Sequence, residues 1–450
     1  MKLDGIKATT IIVLIMIISL FSACSSNGND DIPVEIPEEE IEIAEDPEES
    51  KTQLIRVTGN KHDGPYLEYG AKTESGYYEL LKWPNELNKE APLVRTGNII
   101  YTDYATAQRI ILCNVPGCAH NSDACTGYLS YSGFCVLFTN YSETKLYALS
   151  GGDYDVIYND ESELPSIIQM DMDGSNRKEL VRLASDEYFS LNSAIIASDD
   201  YLYTCISKMG EINGKIKPIK SLVQISLLDG SIRYLMELNE MWDVLTSVWE
   251  DKELIISHMD TSTDESYLWR VSTEGEVLDE FGPYKQETLY YSSEQILTAE
   301  TDSSVCIINR YDLKNGENTG HVEMSISPPS GGVFCNQYEN EIAHLMFAVL
   351  EGNELITKEY LIDFNTSDYY EMKLEYKEGG VTKKVGAVSS TEDAYLVIHG
   401  VEQRCVSIVD KDGIPHKYEY PVYQTALILK DDYWNNRPVY QNIDDKVAVG

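Results

Sequence analysis

From about residue 52 onward, hydrophobic and polar positions alternate over short runs, and no stretch keeps the spacing of a long amphipathic helix. The runs are rich in β-branched residues and tyrosine and are separated by turn signals, which predicts strands. One unit recurs: an apolar strand, a tight turn, then a more polar strand. Ile168 to Arg177, Val223 to Arg233, Leu268 to Val277, Ile308 to Gly316, Tyr360 to Ser367 and Val406 to Gly413 all follow it. Their Asp-Gly, Glu-Gly and Asn-Gly pairs predict hairpin turns, because glycine accepts the positive φ such turns require. Measured between Gly174, Gly230, Gly275, Gly316, Ser367 and Gly413, the intervals are 56, 45, 41, 51 and 46 residues. Ile110 to Gly117 fits as the earliest unit, 57 residues before Gly174.

Each unit is expected to open on an apolar strand, as at Asn98–Tyr101, Lys145–Tyr147, Asp200–Tyr203, Glu253–Ile256 and Ala394–Ile398. Several strands per ~40–50 residues is the period of a β-propeller blade, which cannot bury both faces alone but can when packed around an axis. The expectation is therefore an all-β, seven-bladed propeller over residues 51–450, with six or eight blades as the alternatives and two packed sandwiches as the rival. Residues 52–95 and Ala426–Leu429 hold further strand material, which would complete blade seven or form a composite eighth. The Gly-His…Trp-Asp signature of WD repeats is missing. Asp-Gly-Ser-Asn at 173–176 instead resembles the blades of TolB-like bacterial propellers.

The first fifty residues follow another pattern. Lys2 and Lys7 precede an apolar run from Ile11 to Ile18, far short of the ~20 residues that span a bilayer but suited to a secretory signal. Ser22-Ala23-Cys24 resembles the lipobox of bacterial lipoproteins, with Phe21 where that family usually has leucine. The resemblance implies a signal peptide over 1–23 and a lipid on the thiol of Cys24, which holds the protein at the outer face of a cell membrane. Asp30 to Glu49 contains eleven acids, no base and three prolines. Like charges repel, so residues 24–50 are expected to form an extended, disordered tether.

Charge narrows the functions. The chain of 450 residues carries 75 acids against 35 bases, a formal net charge of −40. Nucleic-acid binding needs a basic face and is excluded as an expectation. Tyrosine (32) far outnumbers phenylalanine (8), which suits half-wet β surfaces.

Apart from Cys24, eight cysteines remain. Cys205, Cys306, Cys335 and Cys405 lie in apolar strands and are expected to act as buried small hydrophobes. Cys113, Cys118, His120 and Cys125 show a Cys-x4-Cys-x-His-x4-Cys spacing, expected in a hairpin where the other units have a plain turn. With Tyr101–Gln108, the segment resembles one found in uncharacterised, propeller-like surface lipoproteins of Gram-positive anaerobes. Three thiols and an imidazole suit a structural zinc. Disulfides compete, Cys113 with Cys118 and Cys125 with Cys135, as do free thiols.

No serine-hydrolase elbow, zinc-protease helix or phosphate loop is present. His258 and His399 are placed near strand ends. The acids Asp153, Asp155, Asp160, Glu161, Glu163, Asp260, Asp264 and Glu265 are read as solvated loops rather than as a calcium site. Tyr154, Tyr158, Trp242, Trp249, Tyr290, Tyr291, Tyr369 and Tyr370 would suit sugar rings or peptide side chains at a funnel mouth, or packing between blades. The leading expectation is a lipid-anchored propeller that binds a glycan, peptide or envelope partner. The alternatives are a polysaccharide lyase or glycosidase acting at the funnel, and a redox or metal sensor built on the cysteine cluster.

Overall fold

The computed structural model describes residues 53–57, 70–83, 94–152, 163–190, 193–212, 215–238, 243–260, 262–263, 265–284, 287–291, 294–302, 305–326, 333–339, 341–351, 354–409 and 413–447. The signal segment, Cys24 and the acidic stretch to residue 50 lie outside the described residues. So do Tyr154, Tyr158, Trp242, Asp264 and the acids at 153, 155, 160 and 161.

The repeated hairpins extend into seven four-stranded antiparallel blades. Blade 1 comprises Ala71–Lys72, Gly76–Lys82, Val94–Asp103 and Gln108–Ile111; blade 2 comprises Cys135–Thr139, Leu146–Ser150, Ser166–Met170 and Lys178–Arg182. Blade 3 is Ile196–Ala197, Tyr201–Ile212, Lys215–Ser226 and Ile232–Leu238; blade 4 is Val244–Trp249, Glu253–Asp260, Glu265–Val271 and Val277–Tyr284. Blade 5 is Glu287–Tyr291, Gln295–Asp302, Val305–Asp312 and Asn318–Met324; blade 6 is Val333–Glu339, Ile342–Glu351, Glu354–Asp363 and Asp368–Glu371. Blade 7 closes the series with Gly386–Ser390, Ala394–Val409, Pro415–Leu429 and Tyr440–Asn442. The described helix, Lys430–Trp434, is a single short turn within blade 7.

Burial shows why the repeat demands a ring. The buried apolar side chains gather into seven clusters, and each spans two neighbouring blades. Leu297 and Ile308 of blade 5 meet Leu345 and Phe347 of blade 6, all fully buried. Tyr77 of blade 1 meets Leu396 and Leu427 of blade 7 at the seam. Each such side chain contributes about 1.5–3 kcal/mol by leaving water, so a blade without neighbours would forfeit both faces at once.

The period held in the middle of the chain and slipped at its ends. Gly174, Gly230, Gly275, Gly316 and Ser367 all have positive φ and join the third strand of a blade to its fourth. In blade 1 that turn is made at Ala107 (φ +52), not at Gly117. Gly413 joins the second and third strands of blade 7, whose last turn is replaced by the short helix. The apolar runs read as opening each unit are second strands in blades 2, 3, 4 and 7 and the third strand in blade 1. An inner strand precedes each, at Cys135–Thr139 in blade 2 and Val244–Trp249 in blade 4 for example.

Closure also differs from expectation. Neither a mixed blade seven nor a composite eighth blade forms. The C-terminal strand Asp444–Asp445 instead adds in parallel to the outer strand of blade 1. Asp445 there faces Arg109 at 3.5 Å and Arg404 of blade 7 at 3.6 Å, while Arg109 binds Glu79 at 2.6 Å with both side chains 4% exposed. At the other end, Ile55–Arg56 pairs with Ile196–Ala197, the inner strand of blade 3.

Candidate functional site

Two places bring chemistry together. The first is the cysteine cluster, which does not occupy a hairpin turn as expected. The third strand of blade 1 pairs with Gln108–Ile111 along its second half and with Tyr128–Ser132 along its first. Residues 112–127 are therefore an excursion out of the middle of the fourth strand. Both its ends meet Ile99, whose N–H donates to the Gly127 carbonyl at 2.6 Å and whose carbonyl accepts the Leu112 N–H at 2.9 Å.

This pinch folds the excursion back on itself. One donor atom from each of Cys113, Cys118, His120 and Cys125 lies within 4.8 Å of all the others. His120 Nδ1 is 3.2 Å from Cys125 Sγ. A tetrahedral zinc with Zn–S ~2.3 Å and Zn–N ~2.0 Å holds its ligands about 3.5–3.8 Å apart, so the set can take such an ion with little movement. Backbone amides supply the outer layer: the His120 N–H donates to Cys118 Sγ at 3.4 Å and the Gly127 N–H to Cys125 Sγ at 3.3 Å. Such donors stabilise thiolate and orient it. His120 has φ +53, and its carbonyl accepts Asn98 Nδ2 at 2.9 Å while Asn98 accepts Trp83 Nε1 at 2.7 Å.

Burial holds the His120 imidazole below its ordinary pKa and so keeps a lone pair for a metal. It pushes the Cys125 thiol up to about 12. At Cys113 burial acts the same way, but hydrogen bonds from the Val115 backbone and from the Cys125 and Cys118 thiols outweigh it and lower the pKa. Cys135 is outside this set. It lies fully buried on the first strand of blade 2, in the cluster between blades 1 and 2.

The second place is a cavity of about 650 Å³. In an antiparallel blade the loops after the first and third strands emerge at one end, and those loops line it. Lys72, Thr73 and Glu74 come from blade 1, Asn140, Tyr141 and Glu143 from blade 2, Glu339 from blade 6, and Ser389, Ser390 and Lys430 from blade 7. Ile55, Arg56 and Val57 add a wall from the strand beside blade 3. This is the funnel of the ring.

Its carboxylates have partners in the wall. Glu339 receives Lys430 Nζ at 2.5 Å and the Tyr395 hydroxyl, and Glu143 receives the Glu74 N–H at 2.9 and 3.1 Å. Lys72 donates to Ser390 Oγ at 2.9 Å. Burial, followed by the Lys430 charge, holds the Lys72 ammonium below the usual lysine value.

Of the aromatics and histidines singled out in the sequence, those whose side chains are described pack or bond within the protein. Trp249 stacks on Phe281 at 5.4 Å between blades 4 and 5 and is buried. Tyr370 donates to the Trp434 carbonyl at 2.8 Å. His258 bonds Asp243 at 2.8 Å and stacks on Trp269 at 3.9 Å, and His399 stacks on Tyr440 at 4.7 Å. Glu163 is buried rather than solvated. Cys205 and Cys306 are fully buried in blade junctions, whereas Cys405 is exposed on the long hairpin of blade 7. The cavity residues escaped notice because they come from the strand ends and loops of different blades and share no local motif.

The chain matches no protein-family model and no curated protein. Among solved structures it is similar to an acylaminoacyl peptidase from Pyrococcus horikoshii, at 12% identity over 84% of this chain and 52% of that one, with a TM-score of 0.43. An oligogalacturonate lyase from Vibrio parahaemolyticus is 11% identical over 83% and 98%, with a TM-score of 0.39. TolB from Acinetobacter baumannii is 10% identical over 71% and 63%, with a TM-score of 0.32. The chain spans 58% and 52% of the length of the two acylaminoacyl peptidase structures it matches. By its own strand order and blade junctions, the chain is a seven-bladed β-propeller.

Proposed function

We propose that the protein is a lipid-anchored, extracytoplasmic binding propeller whose funnel receives a glycan, a peptide or a segment of an envelope partner. The observation that carries this is the composition of the funnel wall. Lys72, Tyr141 and Ser390 present polar groups to a space the size of a small oligomeric ligand, beside the Glu143 and Glu339 carboxylates already held by the wall. The Cys24 lipid and the acidic tether would hold this funnel at the outer membrane face, with no role for nucleic acid. Binding of the purified protein to glycan and peptide arrays, with reaction products followed in parallel, tests it. Saturable binding without turnover is the expected result; turnover of a polysaccharide would overturn it.

The enzyme alternative has one specific support, Lys72. An ammonium depressed by burial and a neighbouring cation is the state a lysine general base needs. Lys72→Ala should abolish turnover if that reading holds and only weaken binding if it does not.

For the Cys3His set the proposed ligand is one zinc ion, held by Cys113, Cys118, His120 and Cys125 as a closed structural site. Its support is the convergence of all four donors on one point, where disulfides would draw the thiols together in pairs.

A further inference from the structure

At its base the Thr126 hydroxyl of the excursion 112–127 donates to the Leu112 carbonyl at 2.8 Å, and two turns close on Val115 and Ser122, but its middle is packed against no apolar surface. Its ends are pinned at Ile99, so it must close as a loop, at an entropy cost that grows with its length. The side chains between Cys113 and Thr126 give it no core of its own: Val115 is 49% exposed and only Cys125 is buried. Yet three outside groups depend on its shape. The Arg177 guanidinium of blade 2 donates to the carbonyls of Thr126 and Tyr128. Gly174, in the same turn, lies so close that a Cβ there would stand 2.3 Å from the Thr126 oxygen. Asn98, fully buried in blade 1, donates to the His120 carbonyl.

We propose that the metal acts as a clip between blades. By joining the two halves of the excursion it presents the carbonyls of Thr126 and Tyr128 to Arg177, and so fastens the outer edge of blade 1 to the last turn of blade 2. This rests on the zinc reading above and adds a consequence that reading does not require. Blades 1 and 2 still share a buried cluster of their own, so loss of the ion frees the edge and leaves the ring intact.

The test is carried out on the full chain. Metal content is measured after purification without chelators, and amide hydrogen exchange is then followed before and after chelation. The expected results are one zinc per chain, and exchange at Thr126–Ser132 and Gly174–Arg177 faster by about tenfold or more once it is removed, with Gln295–Asp302 of blade 5 unchanged. If zinc is present and its removal leaves exchange at 126–132 and 174–177 unaltered, the clip is overturned and the zinc site stands. If no metal is found and the thiols are oxidised, both fall together.

Variants sharpen the same question. His120→Ala should lose the zinc and reproduce the chelated pattern. Should that variant fail to fold, Arg177→Ala decides instead: it should keep one zinc per chain yet expose the 126–132 and 174–177 amides. Unchanged protection in Arg177→Ala would overturn the clip.

Discussion

Blades 1 and 2 share a plan of four antiparallel strands, but their outer edges are held by opposite means. In blade 2 the outer strand Lys178–Arg182 is one piece, fed by the Asp171–Ser175 turn, with Leu180 and Val181 buried and Lys178, Glu179 and Arg182 in water. Local chemistry suffices there. In blade 1 the outer strand is broken into Gln108–Ile111 and Tyr128–Ser132, and beside its buried Ile111, Leu129 and Tyr131 it takes polar contacts from afar. Glu79 and Asp445 clasp Arg109, Arg177 clasps the excursion, and Asp444–Asp445 adds a strand from the far end of the chain. An edge that carries an insertion and closes a ring cannot rely on a turn, so polar contacts of long sequence separation replace it.

The largest test of that contrast is Arg109→Ala. It strips the buried Glu79 carboxylate of its 2.6 Å ion pair and loosens the C-terminal strand, so urea unfolding should show a loss of about 3–5 kcal/mol. Arg182→Ala, the corresponding outer-strand arginine of blade 2, breaks a partly exposed pair with Glu179 and should change stability by less than about 1 kcal/mol. Equal effects would erase the distinction.

Glycine turns give the next comparison. Gly174 and Gly316 have φ of +79° and +69°, but the excursion lies against Gly174 while nothing stands within 4 Å of a Cβ at Gly316. Gly316→Ala should cost about 1–2 kcal/mol for the left-handed backbone alone. Gly174→Ala should cost about 2–4 kcal/mol, because the Thr126 carbonyl must also move. Thermal denaturation of the pair checks this.

The smallest effect tests whether the blade 2 turn is locally self-sufficient. The Ser175 hydroxyl and then its N–H, which donates at 2.9 Å, hold the Asp173 carboxyl below its ordinary pKa. A depressed carboxylate stabilises the fold fully above the unfolded value of about 3.9 and loses that contribution as pH falls below it. An NMR titration of Asp173 should therefore show a lowered midpoint, and Ser175→Ala should raise it.

Sequence and structure agree best where the determinants are close together. The turns at Gly174, Gly230, Gly275, Gly316 and Ser367 were legible because an Asp-Gly or similar pair fixes its own backbone. The cysteine set was legible for the same reason, with four donors inside thirteen positions. Gly117 misled because a loop glycine looks like a turn glycine, and Gly413 because a hairpin turn does not say which two strands it joins.

The amino-acid order alone determined that this chain makes strands, how often it turns, and that three thiols and an imidazole lie close together near residue 120. Period-two patterning and positive-φ turns are properties of a few neighbouring residues. Only the closed ring decided the rest. It split the fourth strand of blade 1 around the excursion, seated Asp445 between Arg109 and Arg404, and assembled a funnel from Lys72, Tyr141, Glu339 and Lys430. Those groups lie up to several hundred residues apart and meet because apolar junctions between blades bend the chain into a circle, a constraint that no local stretch of sequence carries.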